Sequence, residues 1–170
     1  MTHALDRPAI HLHNARPEET ETLARIGLKA WLNGIAPLVP DKVRQGILAD
    51  NPFLPFLKTL GPAVIVATIN GDPVGIGACE HADDTISDIW VAPAFEGRGV
   101  GSALVNALET EILDRGYPVA HIQAAALNTR AFRLYRHLGY REESRQISFD
   151  PILKIEMEKV GLSKQLQPSA

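Results

Sequence analysis

The sequence predicts one domain of the mixed α/β class, and three observations predict it. A β-hairpin signal lies in mid-chain, where AVIVATI, the turn NGDP and VGIGACE follow one another. A glycine-rich segment, PAFEGRGVGS at residues 93–102, leads directly into a helical pattern. The elements run in the order β, helices, βββ, α, β, α, ββ, which differs from a regular Rossmann alternation. The 170 residues, 45% of them hydrophobic, suffice for one core.

The half of the chain before the glycine-rich segment contains a strand, a helix, an irregular excursion and the hairpin. Residues 10–15 read as a strand. Residues 17–33 read as a helix, because Pro17 suits a first turn and apolar residues follow at helical spacing. Residues 35–62 hold five prolines and predict an irregular excursion with a short helix at 41–48. After the hairpin, TISDIWV at residues 85–91 predicts a third strand.

The second half predicts two crossover helices and a closing strand pair. Residues 99–114 form a helix with one apolar face, and VAHIQAA at residues 119–125 is a buried strand. Residues 128–139 form the next helix, which Gly139 ends. Residues 141–149 and 152–160 read as an antiparallel pair. The whole chain, 1–170, is then one domain with a core over about 9–160 and a short tail over 161–170.

Composition narrows the class of function. The net charge of −3 gives no general attraction to nucleic acid or to an anionic membrane, so neither is expected as a partner. Cys79 is the single cysteine and reads as a core residue. His11 and His13 have no neighbouring ligand set, so no metal is expected. No segment approaches ~18 apolar residues, which predicts a cytoplasmic protein. A homodimer is compatible with the sequence.

A strand, a glycine-rich loop and a helix together predict an anion site. Glycine lets backbone N–H groups approach a phosphate closely, the helix N-terminus is positive, and Arg98 adds donors. A phosphorylated cofactor is therefore expected. GRGVGSA lacks the lysine of a Walker loop, and it misses the dinucleotide pattern by one residue. A plain tight turn stays open as the alternative for the loop alone.

A second motif lies in the last predicted helix, where Asn128, Phe132 and Tyr135 share one strip. With IWVAP and EGRGVG, the segment NTRAFRLYRHLGY resembles the GNAT superfamily of acyl-CoA-dependent N-acetyltransferases. That family carries R/Q-x-x-G-x-G/A after a strand, and N-x-x-A-x-x-L/F-Y-x-x-x-G-F/Y later. The resemblance covers residues 9–160. Glu96 departs from it, because the family usually has Arg or Gln there, and weaker CoA binding is expected.

The resemblance implies a fold and a cofactor site. The fold is a twisted, mixed and mostly antiparallel sheet of about seven strands, flanked by about four helices. Its central strands, here 85–91 and 119–125, splay apart. Acetyl-CoA is the implied cosubstrate: its pantetheine arm would pair with Ile89 and Val91, and Asn128 would hydrogen-bond the arm. The pyrophosphate would lie on the loop residues Gly97, Arg98, Gly99, Val100, Gly101 and Ser102.

The resemblance also implies a reaction, the direct attack of a primary amine of a small molecule or peptide on acetyl-CoA. Tyr135 would protonate the leaving thiolate. For the base, Asp88 is favoured, then Glu80, with His81 and His121 as further candidates. The acceptor is expected among acidic residues and the aromatic side chains of Trp31, Phe53, Phe56 and Trp90, at least two of which are expected to pack in the core instead. The alternative function is a non-catalytic acyl-CoA-binding or regulatory domain of the same fold.

Overall fold

The strands of the computed structural model, which describes residues 7–167, divide into two four-stranded sheets. In chain order they are β1 (Ile10–Asn14), β2 (Ile65–Ile69), β3 (Asp72–Ala78), β4 (Thr85–Ile86), β5 (Asp88–Val91), β6 (Val119–Ala125), β7 (Arg141–Asp150) and β8 (Ile155–Gln165). The first sheet has the order β1-β2-β3-β5 and the second the order β4-β6-β8-β7. Residues 1–6 and 168–170, which begin and end the predicted domain, lie outside the described residues.

Five α-helices cover these sheets within the described part of the chain: α1 (Thr20–Gly34), α2 (Asp41–Ala49), α3 (Phe53–Leu60), α4 (Val100–Asp114) and α5 (Thr129–His137). Helix α3 was not predicted as a separate element, since it lies in the proline-rich excursion. Pro55 falls in its first turn, where the backbone N–H is not needed for the helix, so the proline is tolerated. Between Arg7 and Gln167, no helix has the length and apolar character needed to cross a membrane.

The predicted strand at residues 85–91 is two strands that belong to different sheets. β4 pairs in parallel with β6, whereas β5 pairs antiparallel with β3. Ser87 separates them, and beyond it β5 and β6 no longer pair. The predicted splay is therefore confirmed, and the sheet divides into two at this point. The single strand expected over residues 85–91 is corrected to two strands.

The closing strand pair extends further than the sequence predicted. β8 begins at Ile155 and continues to Gln165 instead of ending at residue 160. The reason is that β8 has partners on both edges: β7 on one side, and β6 on the other as far as the pair Val119↔Gln165. Residues 161–165, predicted as tail, are thus part of the second sheet.

Two hydrophobic clusters fill the interior. One contains buried residues of α4, α5 and both sheets, and the other packs α1, α2 and α3 against the opposite face of the first sheet. Glycine allows α4 to approach β3 closely, because a Cβ on Gly75 would lie 2.9 Å from Val100 Cγ1. Trp31 and Phe53 are 5% and 6% exposed, so these two of the four aromatic residues expected near the acceptor are core residues. Cys79 is half-buried and packs against the first cluster.

Candidate active site

The glycine-rich loop ends in an uncapped helix N-terminus. Gly97 and Gly99 have φ of +74° and +86°, a left-handed conformation that favours glycine, and an added Cβ at Gly97 would meet open space. Gly99 is the N-cap of α4, and no side chain caps this end. The first N–H groups of a helix lack intrahelical acceptors, so those of Val100, Gly101 and Ser102 are free to donate to an anion. This part of the predicted site is suited to a phosphate.

At Gly101 the absence of a side chain serves helix packing, whereas the sequence suggested close approach of a phosphate. Its φ is not in the left-handed region, and an added Cβ would lie 2.9 Å from Leu134 Cδ2 on α5. The Cβ would also approach Val91 Cγ2 at 3.9 Å. The missing side chain therefore lets α4 pack against α5, and the expectation that it clears space for a phosphate is corrected on this point.

The outer edge of β5 is open. In an antiparallel pair the hydrogen bonds alternate, and the Ala92 N–H donates to the Val74 carbonyl at 2.8 Å. Every second N–H of β5 therefore points toward β3, which applies to Trp90 and Asp88 as well as Ala92. The N–H groups of Ile89 and Val91 consequently point the other way, into the gap that opens toward β6. These are the two residues expected to pair with an extended cofactor arm.

Asp88 is a half-buried carboxylate held by two hydrogen bonds. Its Oδ2 accepts from the Ser87 hydroxyl at 2.7 Å, and its Oδ1 accepts from Trp90 Nε1 at 3.0 Å. Burial raises the pKa of Asp88, and the two hydrogen bonds only partly offset the rise. The Trp90 indole is fixed in turn, because its ring stands edge-on to Phe53 with centroids 5.3 Å apart.

Glu80 lies close to Asp88 across the turn that joins β3 to β4. The Glu80 N–H donates to the Ser87 hydroxyl at 2.8 Å, so one serine contacts both acidic residues. Burial, followed by the neighbouring charge of Asp88, raises the pKa of Glu80. The structure thus brings the two carboxylates expected to act as base into one cluster, together with His81, whose Nε2 is 3.5 Å from Glu80 Oε2.

Tyr135 lies in the middle of α5 and is 6% exposed. Burial, and then the negative charge of Asp88, raise the pKa of its hydroxyl. Both causes favour the protonated form, so the hydroxyl is a proton donor over the physiological range. The charge of Asp88 is thus near enough to add to the effect of burial on the pKa of Tyr135.

The remaining predicted residues have structural partners. His121 Nδ1 is 2.9 Å from Glu143 Oε1, so the ring is engaged with a carboxylate on β7 instead of with Asp88. Asn128 caps α5, its oxygen accepting from the Ala131 N–H at 3.2 Å, and its NH₂ group is the donor left for a ligand. The guanidinium of Arg98 lies 5.1 Å from the ring centroid of Phe95.

Sequence reasoning missed the surroundings of Glu96 and the role of Ser87. Glu96 forms an ion pair with Arg130, and its other oxygen accepts from Asn33 Nδ2 at 3.4 Å. Nothing in the local sequence links these residues, which come from three distant segments. Ser87 interrupts an otherwise strand-like run, and a small polar residue there is the one signal that could have indicated the break.

The residues described, 7–167, include no group of three or more His, Cys, Asp or Glu side chains placed to hold a metal ion. The residues expected to form the site are backbone donors, two carboxylates and one tyrosine. Two sheets that part at Ser87, with an anion-accepting helix end beside the gap, define an acetyltransferase-type α/β fold.

The comparisons with known proteins agree with this class. The family model described as "Acetyltransferase (GNAT) family" matches residues 30–140, and the chain belongs to that family. The resemblance predicted from the two motifs is thus confirmed. A curated relative, an uncharacterized N-acetyltransferase of Methanocaldococcus jannaschii, is 32% identical over 87 residues. That match covers 46% of this chain and spans only 38% of the relative's length.

Solved structures show the same fold. A GCN5-related N-acetyltransferase from Rhodopseudomonas palustris superposes with a TM-score of 0.74 at 22% identity, covering 98% of this chain and all of that one (100%). The PaiA N-acetyltransferase from Thermoplasma acidophilum, solved in complex with coenzyme A, gives a TM-score of 0.71 at 14% identity. That pair covers 93% of this chain and 99% of the other. The likeness establishes the mixed α/β fold.

Proposed function

We propose that this protein is an N-acetyltransferase that moves the acetyl group of acetyl-CoA to a primary amine of a small molecule or peptide. One juxtaposition carries the proposal. The open edge of β5 and the uncapped end of α4 lie where the sheets part, and Asp88 on β5 and Tyr135 on α5 would handle protons there.

The backbone around the gap suits an extended, phosphorylated ligand. The N–H groups of Ile89 and Val91 would bind the pantetheine arm as a neighbouring strand would, and the Asn128 NH₂ group would hydrogen-bond the same arm. The N–H groups of Gly97 through Ser102, at the positive end of the α4 dipole, would hold the pyrophosphate. When bound, acetyl-CoA supplies an activated acetyl thioester.

Fixed donors near the reacting carbonyl would lower the barrier. The Val91 N–H points into the gap and would stabilise the negative charge that grows on the carbonyl oxygen during attack. Preorganised backbone donors of this kind contribute strongly, with a loss of about 10²–10³ in kcat when one is removed.

Two side chains would handle protons. The amine must be neutral to attack, and Asp88 would accept its proton directly or through water, with Glu80 beside it. The raised pKa of Asp88 makes it a better base than an ordinary aspartate. Tyr135, kept protonated by burial, would donate to the departing sulfur. An acceptor that approaches Glu80 and Asp88 would be favoured if it carries a positive charge.

A test is thiol release from acetyl-CoA with a panel of primary amines, with the acetylated product identified by mass spectrometry. We expect turnover that depends on the amine and disappears without acetyl-CoA. If CoA raises the Tm while no amine supports thiol release, the proposal fails and the non-catalytic CoA-binding domain is the better description. If neither CoA nor acetyl-CoA raises the Tm, both descriptions are wrong.

A further inference from the structure

The ion pair between Glu96 and Arg130 joins the two sides of the gap. Glu96 lies in the segment that follows β5, and Arg130 lies in the first turn of α5, the helix that follows β6. Because β5 and β6 border the gap, a contact between the segments after them crosses its end. Asn33, at the end of α1, contacts the same carboxylate and fixes it from a third element.

The ion pair places the Arg130 guanidinium and the Glu96 carboxylate near the loop on which the pyrophosphate is proposed to lie. Glu96 is the residue directly before Gly97, whose left-handed backbone begins the anion-accepting loop. Arg130 is two residues after Asn128, the proposed donor to the cofactor arm. If the pyrophosphate lies on this loop, the Arg130 guanidinium would be near it, held there by the Glu96 carboxylate. A carboxylate shares with phosphate the oxygen geometry that arginine binds.

We propose that Arg130 is a cofactor-binding residue and that Glu96 occupies it in the free protein. When CoA binds, the guanidinium of Arg130 exchanges the Glu96 carboxylate for the pyrophosphate of the cofactor. The inference rests on the proposed function, since it requires CoA in the gap between β5 and α5. It adds a specificity element, because a ligand without the pyrophosphate gains nothing from the exchange.

The exposure of the pair favours such an exchange. The side chains of Arg130 and Glu96 are 61% and 32% exposed, and ion pairs at this exposure add little to stability. Opening the pair therefore costs little, whereas a doubly charged pyrophosphate attracts the guanidinium more strongly than one carboxylate does. Asn33 Nδ2 already donates to Glu96 Oε1 at 3.4 Å, so the carboxylate has a partner other than Arg130.

The experiment is titration of CoA, dephospho-CoA and S-acetylpantetheine into four proteins by calorimetry at low and high salt. Arg130→Gln should weaken CoA and dephospho-CoA about equally, by roughly tenfold at low salt, and leave S-acetylpantetheine unchanged. Arg133→Gln, an exposed arginine on the same helix, is the charge-matched control and should weaken CoA much less. Glu96→Gln should tighten CoA several-fold, because it frees Arg130.

The outcomes separate the two proposals. If wild-type protein binds CoA but Arg130→Gln behaves like Arg133→Gln, the exchange is wrong and the acetyltransferase proposal stands. If Glu96→Gln weakens CoA or leaves it unchanged, Glu96 does not compete for Arg130, and the exchange is again wrong. If Arg130→Gln affects CoA but not dephospho-CoA, the arginine binds the 3′-phosphate and the pyrophosphate assignment is overturned. If wild-type protein binds no CoA, both proposals fail together.

Discussion

Replacing Tyr135 by phenylalanine removes one hydroxyl and leaves the ring in place. The ring keeps its packing, including the edge-on contact with Tyr140 at a centroid distance of 6.3 Å. A tyrosine hydroxyl of ordinary pKa, about 10, is a weaker acid than a thiol of about 8.5, so full proton transfer to a thiolate is uphill by about 2 kcal/mol. Burial and Asp88 raise the pKa of Tyr135 further, which makes full transfer harder still.

The hydroxyl should therefore act mainly as a strong hydrogen-bond donor to the sulfur in the transition state. Its contribution should reach at most the lower limit of the general-acid range, about ten- to hundredfold in kcat, or ~1.4–2.7 kcal/mol. We expect Tyr135→Phe to lower kcat by that factor in a thiol-release assay. The Kd for CoA and the Tm should change little, because neither depends on the hydroxyl.

Tyr140→Phe is the matched control, since it removes the same atom from a neighbouring ring. The Tyr140 hydroxyl donates to Glu109 Oε1 at 2.9 Å, on the side of α4 instead of the gap. Its loss should cost about 1–2 kcal/mol of stability while kcat is kept. Full turnover by Tyr135→Phe, or a loss of CoA affinity with kcat unchanged, would refute the assignment of Tyr135 as the acid.

Two further predictions concern the loop and the base. Gly99→Ala should reduce the rise in Tm that CoA causes, because Gly99 has a left-handed backbone in which a residue with a Cβ costs about 1–2 kcal/mol. Gly101→Ala should lower the Tm of the free protein and reduce the rise less, since Leu134 can move. Equal loss in both variants would contradict this distinction. In the wild type, the rate should fall at low pH as Asp88 is protonated, at a pH above the ordinary pKa of an aspartate because the pKa of Asp88 is raised. Asp88→Asn should remove this fall from the pH–rate profile. Its rate should rise at high pH, where the amine substrate is itself deprotonated. An unchanged profile would exclude Asp88 as the base, and Glu80→Gln would then be measured.

The parts of the fold that the sequence predicted well are those set by local chemistry. The hairpin of β2 and β3 has its turn at Asn70 and Gly71, both at positive φ, as NG turns require. The helix α5 begins at an asparagine cap and ends before Gly139, which has φ of +98°. Each of these features depends on residues within a few positions, so one sequence suffices to find them.

The parts that the sequence missed depend on partners far away along the chain. The break at Ser87 exists because residues before it pair with β6, while residues after it pair with β3. Which strand each residue pairs with depends on strands that are distant in the sequence. The run TISDIWV has the same strand-like pattern whether it forms one strand or two. The pairing of Glu96 with Arg130 was hidden for the same reason, since 34 positions separate the two residues.

The candidate base shows how local and distant information combine in the site. The spacing of Asp88 and Trp90 places both side chains on the same face of β5, and that relation can be read from the sequence. Burial raises the pKa of the Asp88 carboxylate. Helices α1 and α3 produce this burial, because they pack against that face of the first sheet. The opposite face of the same strand carries Ile89 and Val91 into the other hydrophobic cluster. A single short strand therefore presents the Asp88 carboxylate on one face, apolar side chains on the other and N–H groups at its edge, and the departure of β6 after Ser87 leaves that edge open.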